Sequence, residues 1–357
     1  MTNSFRARQA LAIARLELRR AFFSKRAFWV WFLAFFPVLI FLGHVLEVRY
    51  RQQHWSGQAV TAAQIDTVVE GESPDAVRER LGEPIRRFRW RERRSRDEEP
   101  VQRERLQYSD GRRRADFVFQ EDRLISRNIR PVVDFEEDKL IFAGVFQYFY
   151  LKLAIFFGCL GIFMNLFRGE MLDKTLHFWL LIPARRSVLL AGKYLAGLGA
   201  SIVIFSAGVT LSFVTLLAAQ YPAEARAYWD SGGAAHLGWY VAAAALACAG
   251  YGSVFLAAGL LLRNPIVPAV ALLFWEGING FLPAMLQKLS VLYYVQSLCP
   301  IPPPMDDDMP ALARLLLAPA EPAPAWTAVL GVIGVTALVL WLASRAVNRL
   351  EINYSSD

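Results

Sequence analysis

Hydrophobic and polar positions divide this chain into long charge-free runs and one stretch dense in charge. No Asp, Glu, Lys or Arg lies between Arg26 and Glu47, between Lys193 and Glu224, between Asp230 and Arg263, or between Glu321 and Arg345. A helix rising 1.5 Å per residue needs about 20 apolar residues to cross the hydrocarbon core, so each run is long enough for a transmembrane helix. Two more spans fit between Lys139 and Arg168, interrupted by Lys152, and between Pro265 and about Leu286, interrupted by Glu276. The expected fold is an all-α polytopic membrane protein with six transmembrane helices over 27–48, 139–167, 188–218, 236–262, 266–298 and 324–345, the fifth stretch including a re-entrant segment. Ahead of the first, residues 1–26 place Ala7, Leu11, Ala14, Leu18 and Phe22 on one helical face and Arg8, Arg15 and Arg19 beside it. That pattern predicts an amphipathic helix in the cytoplasmic headgroup region, a cytosolic extension of the first span being the alternative.

The charged stretch, 49–138, reads as a small soluble α+β domain. Ser73 is placed to cap a helix that carries Ala76, Val77 and Leu81 and stops at Gly82-Glu83-Pro84. Strand-like alternation follows at Arg86–Arg91. A second piece, Arg105–Tyr108, leads into an Asp110-Gly111 turn, and a third, Ala115–Gln120, alternates around Phe117 and Phe119. The succession Gly71-x-Ser73, Val77, Leu81-Gly82-x-Pro84, Tyr108, Phe117-x-Phe119 and Leu124 resembles SmpA/OmlA-like periplasmic domains over about 60 residues. The basic run Arg86–Arg96 reads either as a solvated strand face or as a site for anionic headgroups or acidic glycans.

Composition supports a lipid-facing chain: 55% of the 357 residues are hydrophobic, too many for two soluble domains. The first apolar run lies too far in and is too long for a cleaved signal peptide, so it reads as a retained helix. Cys159, Cys248 and Cys299 fall in or beside membrane segments and read as small apolar residues. The net charge of +7 becomes informative by its placement. Residues 49–138 hold 19 basic and 19 acidic side chains, so the excess belongs to the membrane part. Seven basic residues precede the first span, and Arg168, Lys174, Arg185 and Arg186 cluster between the second and third. The positive-inside rule therefore puts both termini in the cytoplasm, the tail 346–357 included, and turns 49–138 to the extracytoplasmic side of a bacterial inner membrane.

Between the second and third spans the chain reads RGEMLDKTLHFWLLIPARRSVLLAGK, with Leu172, Leu176, Trp179 and Leu180 as an apolar stripe at helical spacing and Pro183 as its stop. Glu170, Thr175-Leu176, Pro183, Arg185-Arg186 and Gly192-Lys193 follow one another in an order that resembles the permease subunits of type 2 ABC exporters. The six-span layout, the N-terminal helix, the insertion after the first span and Trp275-Glu276-Gly277 share that resemblance. It implies that 168–187 is a cytoplasmic coupling loop docking on an ATPase through Glu170, Leu172, Thr175, Leu176, Trp179, Pro183, Arg185 and Arg186. It also implies a second permease, identical or paralogous, and two separate ATPase subunits as partners. The chain has no G-x-x-x-x-G-K-[ST] loop, so ATP hydrolysis is expected from another polypeptide. No cofactor, metal or nucleic-acid partner is expected; residues 60–130 offer a surface for an extracytoplasmic one.

Charge inside the membrane is costly and tends to be paired or functional. Glu276 reads either as lining a subunit interface or path, or as a hydrogen-bonded structural group. Lys152 either pairs with it or snorkels outward. After Pro283 the chain stays apolar through Leu298 but includes Gln287 and Lys288, resembling the re-entrant helices at the outer end of such permeases. Asp306-Asp307-Asp308, in the loop 299–323, reads as a solvated turn or a cation site. Other classes have less support. An intramembrane enzyme lacks a motif, since His44, His54, His177 and His236 are scattered. An ATPase-independent secondary transporter usually shows inverted repeats and helices broken at mid-membrane in both halves, whereas only the fifth segment is interrupted here, and six helices are more than a scaffold presenting the outer domain needs.

Overall fold

The computed structural model describes residues 3–23, 27–55, 60–92, 101–172, 185–262, 264, 266–279, 284–302 and 322–348. Helix α1 is Asn3–Phe23 and α2 Ala27–Trp55; the short helices α3, Ala62–Asp66, and α4, Pro74–Leu81, lead into strands β1 Arg86–Glu92, β2 Val101–Ser109, β3 Arg113–Gln120 and β4 Arg123–Pro131. Helix α5, Phe135–Gly144, runs through a π-helical stretch, Val145–Ala154, into α6, Ile155–Leu172. Then come α7 Arg186–Ala219, α8 Pro222–Tyr228, α9 Ala234–Leu261, α10 Ile266–Ile278, α11 Ala284–Gln287, α12 Val291–Gln296 and α13 Ala325–Asn348. Among the described residues five helical runs are long and apolar enough to cross a membrane: Ala27–Tyr50, Phe135–Phe167, Arg186–Ala219, Pro222–Leu261 and Ala325–Asn348. Val267–Ile278 is apolar but shorter.

The chain forms two compact units, one of Met1–Ile40, Lys139–Val214 and Ala225–Asp357, the other of Phe41–Asp138 and Thr215–Glu224. In the first, α9 packs against α6 on one side and α13 on another. The centre is aromatic: the Tyr240 ring lies 5.0 Å from Phe142 and 4.7 Å from Phe146, and Phe156 meets Tyr251 and Phe255 edge-on. Such tilted and edge-to-face pairs suit the ring quadrupole, which disfavours face-to-face stacking. In the π-helical stretch each backbone hydrogen bond reaches one residue further than in an α-helix, which widens the turn. Phe146, Gln147, Tyr150 and Leu151 all turn inward there. The buried Tyr150 hydroxyl donates to the Ala34 carbonyl at 2.8 Å and, having a single hydrogen, accepts from Ser212 at 2.9 Å. One side chain thereby ties three membrane helices together without leaving a polar atom in hydrocarbon.

The second unit holds the sheet, in the order β1-β2-β3-β4 with every pair antiparallel. Ser73 caps α4 by accepting from the Ala76 amide at 3.3 Å, and Gly82 ends it at φ +79°, a conformation a side chain would strain. Ile65, Val68, Val77 and Leu81 from the helical side close over Leu106, Tyr108, Ala115, Phe117, Phe119 and Leu124. Burial pushes the Tyr108 phenol up to about 12, the nearby Glu83 adding to the shift, and its hydroxyl donates to the Gly82 carbonyl at 3.0 Å. In the β2–β3 turn, burial acts to raise the Asp110 carboxyl. The backbone amides of Arg113 and Arg112 and the Arg113 guanidinium outweigh it and hold the group below the usual carboxylate range. Two features lie outside the sequence reading: β2 begins at Val101, and β4 is a full strand.

On helix α1, Ala10, Ile13, Ala14 and Glu17 are buried against the protein, while Ala7 and Leu11 are exposed. The buried stripe follows from what the helix packs on, because Glu17 has an ionic partner and Ala10 and Ile13 meet a glycine.

Candidate functional site

Three helix segments converge at the two ends of the loop that joins α6 to α7. Glu170 stands two residues before the end of α6, Lys193 two turns into α7, and Glu17 in the middle of α1. The Lys193 ammonium is fully buried and donates to Glu17 Oε1 at 2.9 Å, Glu170 Oε1 at 2.7 Å and the Leu166 carbonyl at 2.8 Å. An ammonium has three hydrogens, and these three acceptors use them all. The Phe167 ring lies 5.4 Å from the same nitrogen. Glu17 and Glu170 are each 3% exposed, so two carboxylates and one ammonium share a site nearly closed to water. There the attraction is weakly screened, and loss of the cation would leave two carboxylates facing each other.

Close backbone packing makes the convergence possible. At Gly192 a Cβ would fall 2.8 Å from Ile13 Cβ and 2.9 Å from the Ala10 carbonyl oxygen, so no side chain fits between α7 and α1. At the first residue of α7, Arg186 donates to the Val347 and Asn348 carbonyls at 3.3 Å, placing a cation on the unsatisfied end of α13. Arg185 is exposed, and its carbonyl accepts from the Val188 and Leu189 amides in the first turn of α7. The loop's two anchor points are thus held to α1 and to α13.

Of the residues singled out in the sequence, Glu170 and Arg186 belong to this assembly, and the backbone of Leu172 closes α6. Thr175, Leu176, Trp179 and Pro183 lie outside the described residues, as does Asp306-Asp307-Asp308. Lys193 was legible as the end of the Gly-Lys step. Glu17 was missed as a site residue, although it is the one acid before Glu47 in an otherwise basic and apolar segment.

Glu276 and Lys152 sit elsewhere. Glu276, 9% exposed on α10, accepts from the Ser290 hydroxyl and from the Val291 amide at 3.2 Å. Ser290 in turn caps α12 through the Tyr293 amide at 3.1 Å. Lys152, in the π-helical stretch, holds its ammonium 4.8 Å from the Tyr148 ring centre. Among the described residues no ion pair joins it to Glu276, and no group of three His, Cys, Asp or Glu side chains is placed to hold a metal.

The arrangement around Lys193 ties the two ends of the loop to the helix beneath them. The family model described as ABC-2 family transporter protein matches residues 11–346, which takes in all three charged residues of this cluster. No curated protein and no solved structure matches the chain. A match over nearly the whole length, on a chain with several membrane-crossing helices, places it among the permeases of ABC transporters: the chain belongs to the ABC-2 transporter family.

Proposed function

We propose that this chain is the permease subunit of an exporter driven by a separate ATPase, and that the loop between α6 and α7 receives the ATPase's movement. The single observation that carries the reading is Lys193, buried between Glu170 at the loop's start and Glu17 on α1. A push on the loop reaches α6, α7 and α1 together, and through Arg186 also the end of α13. In this reading α10 with its return helices completes a sixth crossing. Both termini and the loop are cytoplasmic, and the soluble unit lies outside. Two permeases pair around the path with two ATPases beneath them. The inserted sheet domain is of the SmpA/OmlA-like kind.

Copurification tests the coupling directly. The tagged chain, expressed with the genes that neighbour its own and extracted in mild detergent, is expected to bring down an ATPase polypeptide. Leu176→Asp or Trp179→Ala should release that partner without lowering the thermal stability of the permease. If no ATPase accompanies the wild-type chain, or the partner stays bound to both variants, the loop is not the docking element.

A further inference from the structure

The polar pair Gln287-Lys288 interrupts the apolar stretch after Pro283, and the coupling reading gives it no task. Lys288 stands between α11 and α12 and lines an open cavity of about 760 Å³, together with Tyr293, Tyr294, Pro324, Trp326 and Leu330. All of these residues belong to one compact unit. The walls are fixed by contacts of their own. No side chain fits at Gly331, where the Tyr294 ring lies directly on the backbone of α13. Tyr293 meets Tyr294 edge-on, with ring centres 5.2 Å apart. The Ala323 amide donates to the Ser297 hydroxyl at 3.0 Å, which pins the approach to α13 against the end of α12. At the other end of α12 its cap Ser290 is held by Glu276.

Two chemistries meet in this cavity. Lys288 is exposed and has no ion pair among the described residues, and no acid is among the described residues of the lining. Trp326, Leu330 and Ile333 follow at i, i+4 and i+7 along one exposed, apolar face of α13. Helix α13 has 24 residues and so measures about 36 Å, more than the roughly 30 Å hydrocarbon core. Its first turn therefore reaches the level of the headgroups, whichever side of the membrane that is. From there the apolar strip leads along α13 into the hydrocarbon.

We propose that this cavity holds the headgroup and glycerol region of one anionic phospholipid. The Lys288 ammonium pairs with the phosphodiester, the amphipathic Trp326 ring lies against the glycerol esters, and an acyl chain runs along Leu330 and Ile333. A free phosphate would leave the aromatic walls facing water. A zwitterionic lipid brings its own cation to the phosphate and competes with Lys288 for it. The bound lipid fills the space between α12 and α13 and steadies one against the other. This site is separate from the Lys193 cluster and does not rest on the coupling reading.

The test uses the full chain in nanodiscs of phosphatidylcholine doped with phosphatidylglycerol that carries a photoreactive diazirine near the glycerol end of one acyl chain. After irradiation, peptide mass spectrometry should place adducts within 285–302 and 322–334. Unlabelled phosphatidylglycerol should compete for that labelling, and soluble glycerol 3-phosphate should not. The phosphatidylcholine form of the probe should label these segments at least fivefold less. Lys288→Gln should lower labelling by the phosphatidylglycerol probe at least fivefold, and Lys288→Arg should retain most of it. Trp326→Ala should lower it at least threefold and Trp326→Phe less. Arg345→Gln, which removes a cation near the opposite end of α13, should leave it unchanged. Thermal unfolding in detergent identifies any variant that has lost its fold, and the exposed Lys288→Gln and Lys288→Arg pair then decides. No adduct in these segments, equal labelling by the two lipids, undiminished labelling of Lys288→Gln, or competition by glycerol 3-phosphate would overturn the proposal.

Discussion

At the scale of single residues, Lys193 carries the most consequence. Its ammonium sits at 0% exposure between two carboxylates. Removing one partner of a buried ion pair typically costs about 3 to 5 kcal/mol because the other charge is stranded, whereas replacing the whole group with uncharged residues of similar volume is often near neutral. Lys193→Met should therefore lower the thermal unfolding temperature of the detergent-solubilised chain sharply. Adding Glu17→Gln and Glu170→Gln to it should recover most of the loss. Should the triple variant unfold no later than the single one, packing rather than charge holds these helices. Two of the cluster's three charged residues were legible beforehand, since Glu170 and Lys193 flank a recognisable loop. Glu17 was not, since its partner lies 176 residues away in sequence and nothing local on α1 marks which face it shares.

At the scale of elements, the strand that escaped the sequence reading shows what local signals convey. Strands β1 to β3 announce themselves through alternation and an Asp-Gly turn. Strand β4 follows Glu121-Asp122, both in the left-handed region at φ +49° and +63°. Two-residue hairpin turns of this kind favour Asn-Gly or Asp-Gly, because a side chain there crowds the following carbonyl at about 1 to 2 kcal/mol per residue. A Glu-Asp pair carries no such signature, so the turn had no mark in the sequence. Glu121→Asn with Asp122→Gly should stabilise the hairpin by about 1 kcal/mol or more, read as slower hydrogen exchange of the β3 and β4 amides in the full chain. Unchanged or faster exchange would mean that the acidic turn is held by contacts other than its own backbone. Helix α1 makes the same point in reverse. Its pattern indicated a helix, but which stripe meets the protein is set by Gly192 and Lys193 on another element.

At the scale of the whole molecule, the question is which way the chain crosses the bilayer at α10. Thirteen residues rise about 20 Å, short of the roughly 30 Å hydrocarbon core, so α10 alone leaves the chain at membrane depth. Backbone groups there must find partners within the protein. Glu276 and Ser290 supply them: the carboxylate accepts from the Val291 amide and the hydroxyl from the Tyr293 amide, closing the start of α12. A short helix followed by a capped return fits the sixth, interrupted crossing proposed above, which would give α9 and α13 the same direction through the membrane. Sidedness then follows from parity, and impermeant maleimide labelling of single-cysteine variants reads it out. In a background with Cys159, Cys248 and Cys299 replaced, Ser126→Cys on β4 should label in intact cells. Arg185→Cys at the head of α7 should label only after the membrane is opened, both positions being exposed. The reverse pattern would move the sheet domain to the cytoplasm and the α6–α7 loop outside. Lys193 would then brace a structure with no ATPase within reach.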